Sequence, residues 1–222
     1  MTFFRRIARR HRDIRRSGSA GFTILELLVT MSLMGVLGTV MFSTVVSVTR
    51  TVTHNEANAD SVDIARVGLN RLSKNIRSGM SIQQSGLSDL PALAEIGPNK
   101  ITVYGSLGPT PTKITYSINA NRELEESWYA GNSASNPYWT FATTPRVEVI
   151  ARKIPTTAAA LFTFLDEGGA AITNQTSTAY ADLSLVRSVA ISLTVDSNPA
   201  RGGGPVTLVN TVVLPNLGIA KR

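Results

Sequence analysis

A single carboxylate interrupts a long apolar run near the start of the chain. The run extends from Phe22 to Val48, and Glu26 is its fifth residue and only charge. An aspartate at the centre of a membrane helix costs about 2.5–3.5 kcal/mol, and a carboxylate near a helix end costs less because water and headgroups are close. Glu26 is therefore a candidate functional group that a nearby cation would stabilise. The alternative is a signal-anchor helix that tolerates a glutamate at the membrane surface.

The sequence does not assemble the groups that catalysis or metal binding would need. The chain has no cysteine, and His54 is the only histidine after residue 21, so neither a Ser-His-Asp triad nor a His/Cys metal cluster is expected. Residues 202–205 lack the Lys-Ser/Thr and the helix of a phosphate loop, and they predict a hairpin tip. Residues 166–169 offer too few ligands for Ca²⁺ and predict a hairpin turn. We expect no metal, no cofactor and no enzymatic activity, which leaves an anchored enzyme as the disfavoured alternative.

A nucleic-acid partner is not expected either. The basic residues near predicted loops are Arg152, Lys153 and Arg201, which form no basic groove. Some aromatic residues could stack on bases: Trp128, Tyr129, Tyr138 and Trp139. The sequence places no basic cluster beside them. Core packing or a contact with a neighbouring subunit explains these aromatics better.

The element that carries Glu26 is predicted to be a membrane helix. Residues 27–49 contain 23 residues without a charge or a proline. At about 1.5 Å rise per residue this is long enough to cross a hydrocarbon core of roughly 30 Å. Gly35 and Gly38 lie within it, and they indicate either close helix approach or the ordinary glycine content of membrane helices.

Most of the net positive charge lies before this helix. Residues 1–21 contain seven arginines and one aspartate, a net charge of +6 out of +7 for the whole chain. The remaining 15 basic and 14 acidic residues nearly cancel. Because arginine-rich flanks stay in the cytoplasm, we expect a single-pass protein in the cytoplasmic membrane, with an exported C-terminal part.

The helix is predicted to continue beyond the membrane as an amphipathic segment. Apolar residues recur at spacings of three and four: Val62, Ala65, Leu69, Leu72 and Ile76. The helix is predicted to end at Ser78-Gly79. Charged and polar residues lie on the opposite face: Asp60, Asp63, Arg66, Asn70, Lys74 and Arg77. A helix with one apolar stripe needs a partner surface.

The rest of the chain predicts an antiparallel sheet. Residues 79–99 form a predicted connector, and 130–145 a long loop. Period-two alternation predicts strands at the following places: 101–103, 114–118, 122–129, from 147, 161–165, 189–195 and 206–214. The fold class is therefore α+β, a long N-terminal helix packed on an antiparallel β-sheet.

Residues 21–29, Gly-Phe-Thr-Ile-Leu-Glu-Leu-Leu-Val, resemble the processing site of type IV prepilins and type II secretion pseudopilins. The resemblance implies that a prepilin peptidase cleaves between Gly21 and Phe22 on the cytoplasmic side. It also implies N-methylation of the new amine of Phe22 and extraction of the helix into a filament core. Three features depart from many members: a longer leader, no proline midway along the apolar segment, and no cysteine for a C-terminal disulfide.

This resemblance gives Glu26 a role. Cleavage would leave a cationic amine on Phe22, and a pair between this amine and Glu26 of a neighbouring subunit would neutralise both groups and fix axial register. The expected organisation is given by four ranges: a leader at 1–21, the membrane and filament-core half of the helix at 22–49, its amphipathic half at 50–78, and a β-rich head at 79–222.

The predicted function is that of a minor pilin or pseudopilin in a type IV pilus or type II secretion-like filament. Residues 71–77, 162–166 and 186–191 are most similar to J-type minor pseudopilins and their pilus counterparts. The expected partners are prepilin peptidase, other pilin or pseudopilin subunits through the N-terminal helix, and an inner-membrane assembly platform. The alternatives are a membrane-tethered binding or adhesion domain that does not polymerise, and a subunit of a DNA-uptake pilus. The filament would be periplasmic or on the cell surface.

Overall fold

A computed structural model describes residues 21–83, 89–106, 108–135, 138–201 and 204–215. The predicted leader therefore lies outside the described residues, except for Gly21. The chain divides into two compact units, Met1–Arg50 and Thr51–Arg222.

The first element is the helix α1, Ile24–Arg77. Thr23 caps its start, since its hydroxyl accepts the Glu26 N–H at 3.2 Å and its carbonyl accepts the Leu27 N–H at 3.1 Å. At the other end the Ser78 N–H donates to Lys74 O at 3.2 Å, and Lys74 and Arg77 lie in the last turn, where the helix dipole favours cations. The predicted long helix is confirmed.

In the second unit, α1 buries one face. Six of its buried residues are three or four residues apart: Ala57, Ser61, Ala65, Gly68, Leu72 and Ile76. Ser73 and Asn75 widen the buried face near the end of the helix. The predicted stripe is right for Ala65, Leu72 and Ile76, but Val62 and Leu69 are only half-buried. The buried face includes serine, asparagine and glycine because these residues bond to the head or let it approach closely, a role that hydrophobicity does not reveal.

A six-stranded antiparallel sheet forms the first part of the head. Its strands are β1 Leu93–Gly97, β2 Lys100–Gly105, β3 Thr112–Ile118, β4 Leu124–Ser135, β5 Tyr138–Phe141 and β6 Arg146–Ala151. The order is β1-β2-β3-β4, and β4 then pairs with β6 along its first half and with β5 along its second.

Two predicted irregular segments contain strands, so both predictions are wrong. The predicted connector at 79–99 contains β1, whose register shifts between Leu93 and Glu95 and breaks the period-two pattern. The predicted loop at 130–145 contains the end of β4 and all of β5. A Cβ on Gly131 would lie 2.3 Å from Pro111 O, so this glycine permits close strand approach and does not mark a turn.

A second, three-stranded antiparallel sheet follows in the order β7-β8-β9: β7 Phe162–Leu165, β8 Ser188–Val195 and β9 Val206–Val213. The short helix α2, Tyr180–Leu183, and a 3₁₀ turn, Pro199–Arg201, lie in its connections. The head therefore has two sheets where one was predicted, because alternation tells which residues face inward but not which strands pair. The α+β class with a long helix on antiparallel sheets is confirmed.

The core of the head joins α1 to both sheets. Fully buried side chains come from the helix, from β3 and from β7: Leu72, Ile76, Ile114, Tyr116, Phe162 and Phe164. Asn210 of β9 donates to Ser73 Oγ at 2.8 Å. The predicted alternation of β9 is confirmed, with even-numbered residues facing inward. Helix and sheets therefore bury their apolar faces against one another.

Candidate processing and assembly site

The predicted cleavage site precedes the first turn of α1. Gly21 and Phe22 are exposed and not helical, and the Phe22 side chain is 75% exposed. Because the cap is Thr23, the Gly21–Phe22 peptide bond lies in chain that is free of helical hydrogen bonding. A peptidase could bind this bond without unwinding the helix.

Glu26 is the third residue after the cap Thr23, within the first turn of α1. Its backbone N–H bonds to Thr23, while its carboxylate is exposed and pairs with no side chain in the described part of the protein. The positive end of the helix dipole favours an anion at this position. The carboxylate is therefore placed to accept a cation from another molecule.

The first half of α1 exposes an apolar surface. It includes an 18-residue stretch that is long and apolar enough to cross a membrane, and none of it is buried. Large side chains along it are about half exposed or more, among them Leu25, Met34 and Phe42 at 73%, 76% and 72%. Such a surface needs lipid or apolar neighbours to cover it.

Polar side chains in this half form hydrogen bonds with the backbone of their own helix. Six hydroxyls donate to the carbonyl three or four residues earlier at 2.7–2.9 Å: Thr30, Ser32, Thr39, Ser43, Thr44 and Thr49. No water is needed for these bonds, so the serines and threonines are compatible with hydrocarbon surroundings.

A second group of polar residues lies inside the head, where α1 meets the six-stranded sheet. Asn75 donates from Nδ2 to the Tyr116 hydroxyl at 2.6 Å and to Glu126 Oε1 at 2.8 Å, and the Tyr116 hydroxyl donates to the same oxygen at 2.8 Å. Arg71 forms an ion pair with Glu126 and a bidentate pair with Glu148 at 2.8 and 2.7 Å. These bonds attach the end of the helix to β3, β4 and β6.

The ionisation of this network follows from its surroundings. Burial raises the pKa of the Tyr116 phenol, and the negative charge of Glu126 raises it further. Hydrogen bonds and charge from Arg71 lower the pKa of Glu148, and the same bond to Glu148 raises the pKa of Arg71. The network keeps Arg71 and Glu148 charged and the phenol neutral near pH 7.

Sequence reasoning missed this network. Alternate residues of a strand face the same side, and Glu126 is two residues after the buried Leu124 in β4. The sequence pattern therefore did indicate that the Glu126 carboxylate faces inward. Beside it is an open cavity of about 730 Å³. Its lining includes two cations that have no ion-pair partner within the described ranges, Lys74 and Arg146. The described residues contain no cluster of three or more groups that could hold a metal ion.

A family profile described as the prokaryotic N-terminal methylation motif matches residues 16–42. The matched residues include Gly21, Phe22 and Glu26. No curated protein matches the chain. The motif is typical of type IV pilins and pseudopilins and implies processing by prepilin peptidase.

Motif and fold together identify a prepilin-like protein with a pilin-like α+β fold. The motif and the apolar helix indicate a membrane-anchored, exported protein. Pilin-like proteins are generally structural subunits without catalytic activity.

Proposed function

We propose that this chain is a minor pilin or pseudopilin, a non-catalytic structural subunit of a type IV pilus or type II secretion-like filament. The observation that carries the proposal is an uncovered apolar helix surface that begins within an N-terminal methylation motif. A lone subunit cannot cover this surface outside the membrane, whereas a bundle of such helices can. The inner-membrane assembly platform would transfer the subunit from lipid into the bundle.

Processing prepares the helix for this transfer. Cleavage between Gly21 and Phe22 removes the arginine-rich leader and leaves a cationic amine, which is then methylated. The carboxylate of Glu26, exposed and unpaired among the described side chains, would pair with the amine of a neighbouring subunit. Two charges that would each be penalised in an apolar bundle then neutralise one another.

N-terminal mass spectrometry of the native protein tests this proposal. We expect sheared filaments to contain a chain that begins with N-methylated Phe22. Gly21→Lys, which places a long charged side chain at the cleaved bond, should abolish processing, while Gly18→Lys in the same leader should be processed normally. A native protein that keeps its leader and stays in the membrane fraction would contradict the proposal.

The assignment to minor subunits, most like the J type, rests on the resemblance of residues 71–77, 162–166 and 186–191. It predicts that this chain is present in far fewer copies than the main subunit of the same filament. Quantitative mass spectrometry of sheared filaments measures that ratio. A ratio near one would make the chain a major subunit.

The second candidate is a membrane-tethered binding domain. The cavity beside Arg71 favours it, because Lys74 and Arg146 line this cavity and neither forms an ion pair with a described residue, so the cavity could hold an anionic ligand. A tethered receptor has no need of polymerisation, so its leader would remain attached. The mass-spectrometric measurement of the N-terminus therefore separates the two candidates.

A further inference from the structure

The second half of α1 carries an exposed stripe, of which Asn70 and Lys74 also border the cavity beside Arg71. Its residues follow one another at alternating spacings of four and three, as along a coiled-coil seam: Glu56, Asp60, Asp63, Val67, Asn70, Lys74 and Arg77. All seven are exposed, and Val67 at the centre is 64% exposed. We call these residues the charged stripe.

The charges of this stripe are segregated. The acidic residues Glu56, Asp60 and Asp63 come first, and the basic residues Lys74 and Arg77 come last. None of these five side chains forms an ion pair or hydrogen bond within the part of the chain that the structure describes. Arg71 lies beside the stripe on the helix and, in contrast, forms ion pairs with Glu126 and Glu148. The stripe thus presents unpaired charge of both signs.

The acidic residues of one copy would face the basic residues of another if the two helices were displaced along their axis by one particular distance. Asp60 and Lys74 are 14 residues apart, and so are Asp63 and Arg77. Fourteen residues are two heptads, which return to nearly the same helix face after about 21 Å at 1.5 Å per residue. A helix identical to this one, moved by that distance along its axis, would place each acid beside a base.

We propose that the charged stripe is the contact surface for a second copy of this chain, parallel and displaced by about 21 Å along the helix axis. A second copy is the favoured occupant because this chain itself carries the complementary charges. The copies are parallel because the arginine-rich leader inserts each of them in the same orientation. The proposal rests on the proposed function. The contact needs only two adjacent copies, so it is compatible with a subunit that is present in few copies.

The same stripe opposes pairing without displacement. Two parallel copies at equal depth in the membrane would place Asp60 beside Asp60 and Lys74 beside Lys74, and like charges at that spacing repel. The stripe therefore disfavours pairs in the membrane and favours them once one copy has moved outward. Charge in the amphipathic half sets the register of this pair. The Phe22 amine and Glu26 are only four residues apart, about 6 Å along a helix, so they would join a different pair of neighbours.

Cysteine cross-linking in the full-length protein tests the displacement, and the chain has no native cysteine to interfere. Differently tagged Asp60→Cys and Lys74→Cys chains are produced together in the native host, and filaments are oxidised. We expect mixed disulfide dimers, because a disulfide needs Cα atoms about 4.4–6.8 Å apart. Asp63→Cys with Arg77→Cys should link equally well.

Two other cysteine pairs report the competing arrangements. Asp60→Cys with itself would link in an undisplaced parallel pair, and Val67→Cys with itself would link in an antiparallel pair centred on Val67. We expect neither dimer. If either dominates, or if the 60–74 dimer does not form in assembled filaments, the proposed displacement is wrong.

Charge reversal supplies an independent measurement. Asp60→Lys or Lys74→Asp should each lower incorporation into sheared filaments by about fivefold, since exposed pairs contribute up to about that factor. The double variant restores the pair and should recover incorporation. Lys153→Glu, a reversal at an exposed residue of the head, is the matched control and should have no effect.

The N-terminus separates failure of this inference from failure of the proposed function. Chains that carry methylated Phe22 and enter filaments, but show neither the 60–74 dimer nor rescue by the double variant, overturn only the displaced pairing. Chains that are never processed and never assembled overturn the proposed function, and the pairing with it.

Discussion

At the scale of single residues, the backbone N–H and the carboxylate of Glu26 have different surroundings. Its backbone N–H completes the helix cap on Thr23, and its carboxylate remains available to another molecule. A cap uses no side-chain charge from Glu26, so substitution of this residue leaves the start of the helix intact. The two effects can therefore be measured apart.

Glu26→Ala is expected to insert into the membrane normally and to enter filaments poorly, because the amine of the neighbouring subunit loses its partner. Immunoblots of sheared and membrane fractions measure this. Thr23→Ala is the control: it removes the cap, worth about 1 kcal/mol, and keeps the carboxylate. Equal filament incorporation of Glu26→Ala and the unmodified protein would contradict the pairing role.

Tyr116 makes the clearest single contribution to the buried network. Tyr116→Phe removes the donor to Glu126 in a site where no part of the phenol is exposed. We expect a loss of about 1–3 kcal/mol in the free energy of unfolding, because a buried carboxylate oxygen loses a hydrogen bond. Tyr104→Phe is the matched control, since the Tyr104 hydroxyl makes no hydrogen bond to a described residue. Denaturant titration of the full chain in detergent measures both.

Tyr116 also predicts the response to alkali. The native state holds the phenol neutral above its ordinary pKa of 10.0, whereas the unfolded chain releases the proton there. Unfolding is therefore favoured increasingly as pH rises above about 10, by at most about 1.4 kcal/mol per pH unit for this group. Urea titrations at several alkaline pH values should show a shallower decline for Tyr116→Phe. An unchanged slope would show that the phenol titrates normally.

At the scale of secondary structure, periodicity predicted most elements. The long helix and the strands at 112–118 and 188–195 follow directly from the spacing of their apolar residues. The strand β1 was missed because a register shift interrupts its alternation, and β5 because glycine and asparagine in the preceding segment resemble a loop. Local pattern fails where a bulge or a close backbone approach decides the structure.

Gly131 tests that explanation. A methyl group there would lie 2.3 Å from Pro111 O, a backbone atom that cannot rotate away, so Gly131→Ala should destabilise the β4–β5 hairpin by more than about 2 kcal/mol. Gly97→Ala in β1 is the control, because the nearest atom to its new methyl is 3.4 Å away. Thermal unfolding followed by circular dichroism compares the two variants. Similar melting temperatures would mean that the strands adjust to the methyl group.

At the scale of the whole molecule, a single sequence can suggest a processing and assembly site, but it did not reveal the polar network of the head. Gly21, Phe22 and Glu26 lie within six residues, so a local motif contains them all. The network joins Arg71 to Glu148 and Asn75 to Glu126, pairs that are 77 and 51 residues apart. Such pairs depend on strand order and register, which a single sequence does not determine.

The division of the chain predicts that the second unit folds alone. The buried apolar residues of the described chain lie between Ala57 and Leu214, all within Thr51–Arg222. A fragment comprising residues 51–222 should therefore be soluble and unfold cooperatively, with a melting temperature close to that of the full chain in detergent. Calorimetry or circular dichroism checks this. An aggregated or non-cooperative fragment would show that the apolar half is needed for folding.

The self-bonded hydroxyls of the apolar half have a consequence for the energetics of transfer. Since each of the six already holds a carbonyl of its own helix, replacing lipid tails with protein neighbours breaks none of these bonds. For this surface, lipid and a bundle of helices then differ mainly in packing. Transfer from lipid to the bundle is therefore expected to change the free energy little. Glu26 is the one ionisable side chain between Phe22 and Thr49, so under the proposed function it would largely decide between the two environments.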